Sequence, residues 1–207
     1  MAPRNKFTRE EMVDAAVRVV RAGGIDALTA KALATDLGVS TQPVFTCFHT
    51  IDEAKNEVRQ AAEKLYDSYV TIGLQMPIPF YGVGMQYIRF AKEEPELYRL
   101  LFLPVREGDR GGVMNALKHS QDLVRPSLQS IYHIDALTAD RYFRDMWLVV
   151  HSLATLIVTG ECLYSEEEIG EILTGFSVSV YKAMKEIPGF VDNNYDKDAV
   201  FKALLEE

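Results

Sequence analysis

The residues of this 207-residue chain whose types and spacing best suit selective hydrogen bonding are Ser40, Thr41, Gln42 and Thr46. A glutamine amide carries donors and an acceptor side by side, and in a DNA major groove that pair can meet the N6 amine and N7 of adenine together. Phe45 and His49 belong to the same stretch, while Thr29, Thr50, Lys31 and Lys55 flank it and suit contacts to a sugar-phosphate backbone. Other reactive residue types lack such an arrangement. His49, His119, His133 and His151 have no metal-ligand spacing, and Cys47 and Cys162 give neither a disulfide framework nor a metal pair. There is no Gly-x-Ser-x-Gly elbow, and the glycines of residues 108–112 lack the following Lys-Ser/Thr of a phosphate loop. Glu166, Glu167 and Glu168 suit a helix start better than a metal site. The Asp/Asn run of residues 192–198 lacks the central glycine and distal glutamate of a calcium loop. An enzyme is not expected, nor a cofactor or metal.

A base reader has to sit on a short helix held at a fixed angle, and the surrounding sequence supplies one. Thr29 reads as an N-cap with Leu28 before it, and Leu33, Ala34 and Leu37 recur at helical spacing. Gly38 stops that helix, and Ser40 reads as the cap of a second, Thr41 to Phe48. Together these are helix-turn-helix spacing, with the second helix directed at the major groove. An amphipathic helix from Thr8 to Ala22 precedes the pair and ends at Gly23-Gly24. Thr50 caps a long helix from about Asp52 to Ile72 with Ala54, Val58, Ala61, Ala62, Leu65 and Tyr69 on one face.

Gly73 to Pro79 punctuates the chain, and the connecting helix is expected to end there. Further helices are expected over Phe80–Lys92, Pro95–Leu103, Val113–Tyr132 with a kink at Pro126, Thr138–Leu163 and Ser165–Ile187, then a polar linker to a short terminal helix. The reading is all-α. Residues 1–50 form a three-helix helix-turn-helix domain, a fourth helix over 51–73 connects, and residues 74–207 form a helical bundle that binds an effector and dimerises.

A formal charge of −8 and a pI near 5.1 argue against broad coating of nucleic acid or anionic membranes. The first sixty residues are neutral: Arg4, Lys6, Arg9, Arg18, Arg21, Lys31, Lys55 and Arg59 offset Glu10, Glu11, Asp14, Asp26, Asp36, Asp52, Glu53 and Glu57. Weak DNA binding by one domain follows, with useful affinity only from a dimer. Arg4, Lys6 and Arg9 read equally well as a DNA-seeking arm or an ordinary solvated terminus. With no apolar run of transmembrane length and no signal-peptide core, no membrane association and a cytoplasmic location are expected.

Residues 7 to 58 resemble the N-terminal domain of TetR-family transcriptional regulators. The matching features are the helix ending in Gly-Gly-Ile25, the Leu28-Thr29 start, Leu33-Ala34 through Leu37-Gly38-Val39-Ser40, and the aromatic pair Phe45 and Phe48. Two positions depart from the family pattern. Phe45 stands where the family usually has a tyrosine that touches a phosphate, and Ile51 stands where it usually has a lysine.

The resemblance implies a homodimer on a palindromic double-stranded DNA operator, with repression relieved by a small apolar effector. It also implies a four-helix dimer seam from the last two long helices, for which Leu148, Leu156, Phe176, Val180 and Met184 are candidates. Trp147 and His151 share a helix face and suit either a ligand pocket or the core; Tyr87, Phe90, Met114 and Leu117 are candidate pocket walls. The rival reading is a helical ligand-binding or protein-interaction dimer that has lost sequence-specific DNA binding. Phe45, Ile51 and the neutral head favour it.

Overall fold

Short polar residues fix most of the helix starts. In this computed structural model, which describes residues 7–103 and 112–206, the Thr8 hydroxyl accepts from the Glu11 N–H. The Glu11 carboxylate accepts from the Thr8 N–H in return, opening α1 (Arg9–Gly23) with a capping box. A 3₁₀ turn, Ile25–Ala27, leads to Thr29, whose hydroxyl accepts from the Ala32 N–H at 3.1 Å and starts α2 (Ala30–Leu37). Gly38 ends α2 at φ 65°, ψ 37°, the left-handed conformation that glycine adopts without a Cβ clash.

The next helix, α3 (Gln42–Cys47), corrects the expected start. Ser40 does not cap it; Thr41 occupies the cap position and makes no side-chain cap bond. Pro43 removes one of the two donors a cap could use in either register, since proline has no N–H.

Thr50 accepts from the Glu53 N–H at 3.1 Å and opens α4 (Ile51–Leu74). The chain continues through α5 (Pro79–Glu93), α6 (Pro95–Phe102) and α7 (Gly112–Tyr132), which stays helical through Pro126. Next, α8 (Ala136–Thr159) begins ahead of its expected start because Asp135 caps it, and it stops at Gly160 rather than Leu163 because that residue turns left-handed at φ 79°. Ser165 and Glu168 form a second capping box for α9 (Glu166–Glu186), and α10 (Lys197–Glu206) ends the described chain. Among the described residues there are ten α-helices and no strand. None of those helices is long and apolar enough to cross a membrane.

Packing follows the apolar stripes. Against α1 lie α2, α3 and α4, enclosing Met12, Ala15, Val20, Leu33, Val44, Phe48, Ala54 and Val58. The distal half of α4 lies along α5; α5 packs on α8, which is flanked by α7 and α9. At the junction, α6 touches α1, α4 and α8. Two arginines tie these layers. Arg9 pairs with Glu53 at 2.7 Å and Glu57 at 2.5 Å on α4, donates to the Cys47 carbonyl at 3.0 Å, and lies over the Phe48 ring. Arg21 forks onto both oxygens of Glu94 at 2.7 and 2.6 Å, joining α1 to the α5–α6 corner.

α4 ends at Leu74, within the Gly73–Pro79 stretch where its end is expected. Gly73 lies in its last turn, buried against Gly82 of α5, and a Cβ at Gly73 would fall 2.6 Å from the Val83 backbone. The two glycines let two helix backbones touch. Gly73→Ala or Gly82→Ala should therefore force the crossing apart at a cost of about 1–3 kcal/mol. Thermal unfolding would register that as a fall in Tm of roughly 3–10 °C. An unchanged melting temperature for both variants would show that the helices are not held this close.

Candidate nucleic-acid interface and ligand cavity

Val44 and Phe48, both fully buried, pin α3 against its neighbours. Helical geometry then turns Gln42, Phe45 and Thr46, at i, i+3 and i+4, outward on one face, with Ser40 and Thr41 exposed just before them. Half of the Phe45 side chain is exposed. The Thr46 hydroxyl donates to the Gln42 carbonyl at 3.0 Å, which leaves its methyl and an acceptor lone pair for other contacts.

Thr29 and Thr50 are exposed at the starts of α2 and α4. Each hydroxyl oxygen accepts a cap bond, so each hydroxyl proton is free to donate outward. Lys31 and His49 are also exposed, and the His49 N–H donates to Glu53 at 2.8 Å. Lys55 is different. Its side chain is only 20 % exposed and its Nζ lies 4.0 Å from Asp26 Oδ1, so the expected phosphate contact would require it to leave that carboxylate.

Other head cations are similarly engaged: Arg9 with Glu53 and Glu57, Arg18 with Asp36 at 2.6 Å, and Arg21 with Glu94. The Arg9 guanidinium, helped by the His49 N–H, holds the Glu53 carboxyl below the usual carboxylate range. Ile51 packs partly into the core instead of facing a backbone. Arg4 and Lys6 lie outside the described residues, as does most of the 108–112 glycine segment.

A cavity of about 310 Å³ opens among α4, α5, α7, α8 and α9. Nine of its lining residues are aromatic: Tyr66, Phe80, Tyr81, Tyr87, Tyr132, Tyr142, Phe143, Trp147 and Tyr181. None of the described lining residues carries a charge. Of the expected walls, the cavity takes Tyr87 and Trp147. Phe90 is turned about 60° from Tyr87 around α5, into the rings of Tyr66, Tyr69 and Phe102. Leu117 is buried in the core away from the lining, and Met114 is 62 % exposed. The tyrosines of α7, α8 and α9 were not expected. Their periodicity is that of ordinary core, and only the assembled fold turns them to a common space.

His151 lies behind the cavity wall. Its ring stacks on Trp147 with centroids 4.4 Å apart and planes within 7°. Its Nδ1 meets the hydroxyls of Tyr87 at 3.1 Å and Tyr98 at 3.0 Å. Burial holds the imidazole below its ordinary pKa, which favours the neutral ring with Nδ1 as acceptor. Burial likewise lifts the Tyr66, Tyr87 and Tyr142 phenols above their usual range, so all three stay protonated. Three wall hydroxyls have protein partners: Tyr66 with Ser120 at 3.0 Å, Tyr142 with Ser177 at 2.5 Å, and Tyr181 donating to the Tyr132 carbonyl at 3.3 Å. The buried Trp147 indole N–H has no partner, so a ligand would meet that donor among π surface and methyl groups, in surroundings hostile to an unpaired charge.

On the outside, α8 and α9 expose Leu148, Leu156 and Phe176 of the candidate dimer seam. Val180 and Met184 differ in being partly buried against their own core, because α9 turns that stripe inward. Val178, 60 % exposed and not anticipated, lies on the outward part of the same helix and also borders the cavity.

No protein-family model and no curated protein sequence matches this chain. Solved structures do. A Rhodococcus sp. RHA1 protein of unknown function superposes with a TM-score of 0.67 at 19 % identity, over 88 % of this chain and 98 % of that one. A TetR-family member from Streptomyces coelicolor A3 gives 0.59 at 21 % identity, over 84 % and 98 %. The multidrug-binding protein EbrR, solved with proflavin, gives 0.55 at 20 % identity, over 81 % and 98 %. The helix-turn-helix, the unbroken fourth helix and the α5–α9 bundle thus form one known architecture, and the chain has the fold of TetR-family transcriptional regulators.

Proposed function

We propose that this protein is a TetR-type transcriptional regulator: a homodimer that binds a palindromic DNA operator as a repressor and releases it when a small, uncharged, largely aromatic molecule fills the cavity. The observation that carries the reading is Tyr66. It lines the cavity from α4, the helix whose other end, at Thr50, borders the reading helix. Sixteen residues of one helix separate the two positions, about 24 Å at 1.5 Å per residue. A ligand that repositions the Tyr66 ring would tilt α4 and change the separation of the two reading helices in a dimer. Such a ligand shifts the equilibrium only as far as its affinities for the two arrangements differ.

In this reading Gln42 is the adenine reader, Ser40, Thr41 and Thr46 are the other groove-facing polar residues, and Thr29, Lys31, His49 and Thr50 touch the backbone. Leu148, Leu156 and Phe176 form the dimer seam. The proflavin bound by EbrR supports a planar aromatic ligand for this fold. The absence of any lining cation disfavours a carboxylate. A second reading, a ligand-binding dimer without sequence-specific DNA binding, is favoured by the carboxylates already paired with Arg9, Arg18 and Arg21.

Selection of a random duplex library by the purified protein, at low and then near-physiological salt, separates the two. The first reading expects a palindrome that survives the higher salt. Unpatterned, salt-sensitive DNA recovered by folded dimer supports the second. Gln42→Ala should relax preference at one base step per half-site by about 1–3 kcal/mol of discrimination; an unchanged selected motif counts against the assignment.

The cavity is tested separately, by titrating the protein with acridine and with a naphthalene carboxylate of similar size. Acridine should bind at least tenfold more tightly. Val178→Trp, at the solvent side of the cavity, should weaken that binding without loss of fold or of the native oligomer in size-exclusion chromatography. Equal affinity for the carboxylate would show that the neutral aromatic walls do not select the ligand.

A further inference from the structure

We infer that Phe45 reads the 5-methyl group of thymine in the major groove and so fixes a thymine one base step from the adenine met by Gln42. This inference rests on the DNA-binding reading above. It begins with what the outward face of α3 lacks. Gln42, Phe45 and Thr46 share that face, and none is charged. The Gln42 amide is the face's bidentate hydrogen-bonding group, because the Thr46 hydroxyl proton is already spent on the Gln42 carbonyl. Between them stands the ring of Phe45, half exposed, on a helix whose other aromatic, Phe48 at its C-terminal cap, is fully buried.

A phenyl ring cannot satisfy a phosphate oxygen or the polar edge of guanine, cytosine or adenine, and covering such groups leaves them unpaired. Thymine presents the one apolar projection in the major groove, its C5 methyl. Register agrees. Phe45 lies about 4.5 Å along the helix axis from Gln42 and Thr46 about 6 Å, against a base-pair rise of about 3.4 Å. A side chain on Phe45 therefore falls over the pair adjacent to the one that Gln42 contacts. The half-site this face selects is an A·T-rich step, with adenine given by hydrogen bonds and thymine by apolar contact.

The experiment starts from the operator recovered by selection and replaces its thymines one at a time with deoxyuridine, which removes only the methyl. Binding is measured by fluorescence anisotropy at fixed salt. One thymine per half-site, adjacent to the adenine whose 7-deaza analogue also weakens binding, should cost about fourfold on substitution, and about fifteenfold when both half-sites are changed. In Phe45→Ala the deoxyuridine penalty at that position should vanish while the 7-deazaadenine penalty remains; Phe45→Leu should keep part of the first. Circular dichroism melting of each variant confirms the fold, which a half-exposed side chain contributes to only modestly.

A flat deoxyuridine series on a selected operator overturns this inference alone. So does a thymine penalty that persists unchanged in Phe45→Ala. Recovery of no operator overturns the DNA-binding reading, and this inference falls with it.

Discussion

The continuity of α4 is the constraint on which the rest depends. Its buried stripe, Ala54, Val58, Ala62, Tyr66, Val70 and Gly73, passes from the α1 contact at one end to the α5 contact at the other without a break. An α-helix resists bending because each carbonyl is held four residues on, so a displacement at one end reappears at the other. The sequence protects that rigidity at both ends. Thr50 and Glu53 secure the start, Arg9 clamps Glu53 and Glu57 to α1, and the Gly73–Gly82 approach locks the far end into the bundle. The reading helix, six residues long, is too short to persist alone and inherits its orientation from these neighbours.

A second route runs parallel to the first. The cavity wall at Tyr87 and Trp147 touches His151, His151 meets Tyr98 on α6, and the carboxylate of Glu94, at the α5–α6 corner, is held by Arg21 of α1. Aromatic edges fill the space between: Tyr66, Tyr87, Tyr98 and Phe102 pack ring on ring around the inner end of the cavity. Interiors at this density do not deform smoothly. A ligand that moves Tyr66 also disturbs Phe102 on α6, so both routes respond to one occupancy. Neutral His151 and protonated phenols keep this region free of charge, and the coupling is one of shape and hydrogen-bond direction.

The sequence disclosed the parts of this arrangement that are local. Caps at Thr29 and Thr50, the left-handed Gly38 and the acidic opening of α9 are one-residue or one-turn devices, and each stands where the pattern places it. The failures have non-local or competing causes. Ser40 has the residue type of a cap but Thr41 takes the position, and the close approach of Gly73 to Gly82 is invisible without α5. Lys55 looked free because Asp26 lies far from it in sequence. The cavity was the hardest to see. Its nine rings come from five helices, and within each helix Tyr142, Phe143 or Tyr181 repeats at the spacing of an ordinary core residue. Trp147 stands out because a histidine follows it by one turn, and Tyr87 only as an aromatic residue at helical spacing.

The pairing of the head's cations bears on how such a protein could distinguish its site from the rest of the DNA. Non-specific affinity scales with the phosphates neutralised, each adding to the salt dependence. With Arg9, Arg18 and Arg21 committed to carboxylates, that term is small, and breaking those pairs to recruit it would loosen the clamps that orient α3 and α6. In the proposed reading the contacts that remain are mostly neutral: beside Lys31 there are the helix starts at Thr29 and Thr50, whose dipoles favour phosphates without a formal charge, and an amide, a ring and a methyl on α3. A head built this way gives up affinity for arbitrary sequence. In the proposed regulator, occupancy of DNA would depend on two matched half-sites held at the correct separation, which is the quantity a tilt of α4 would alter.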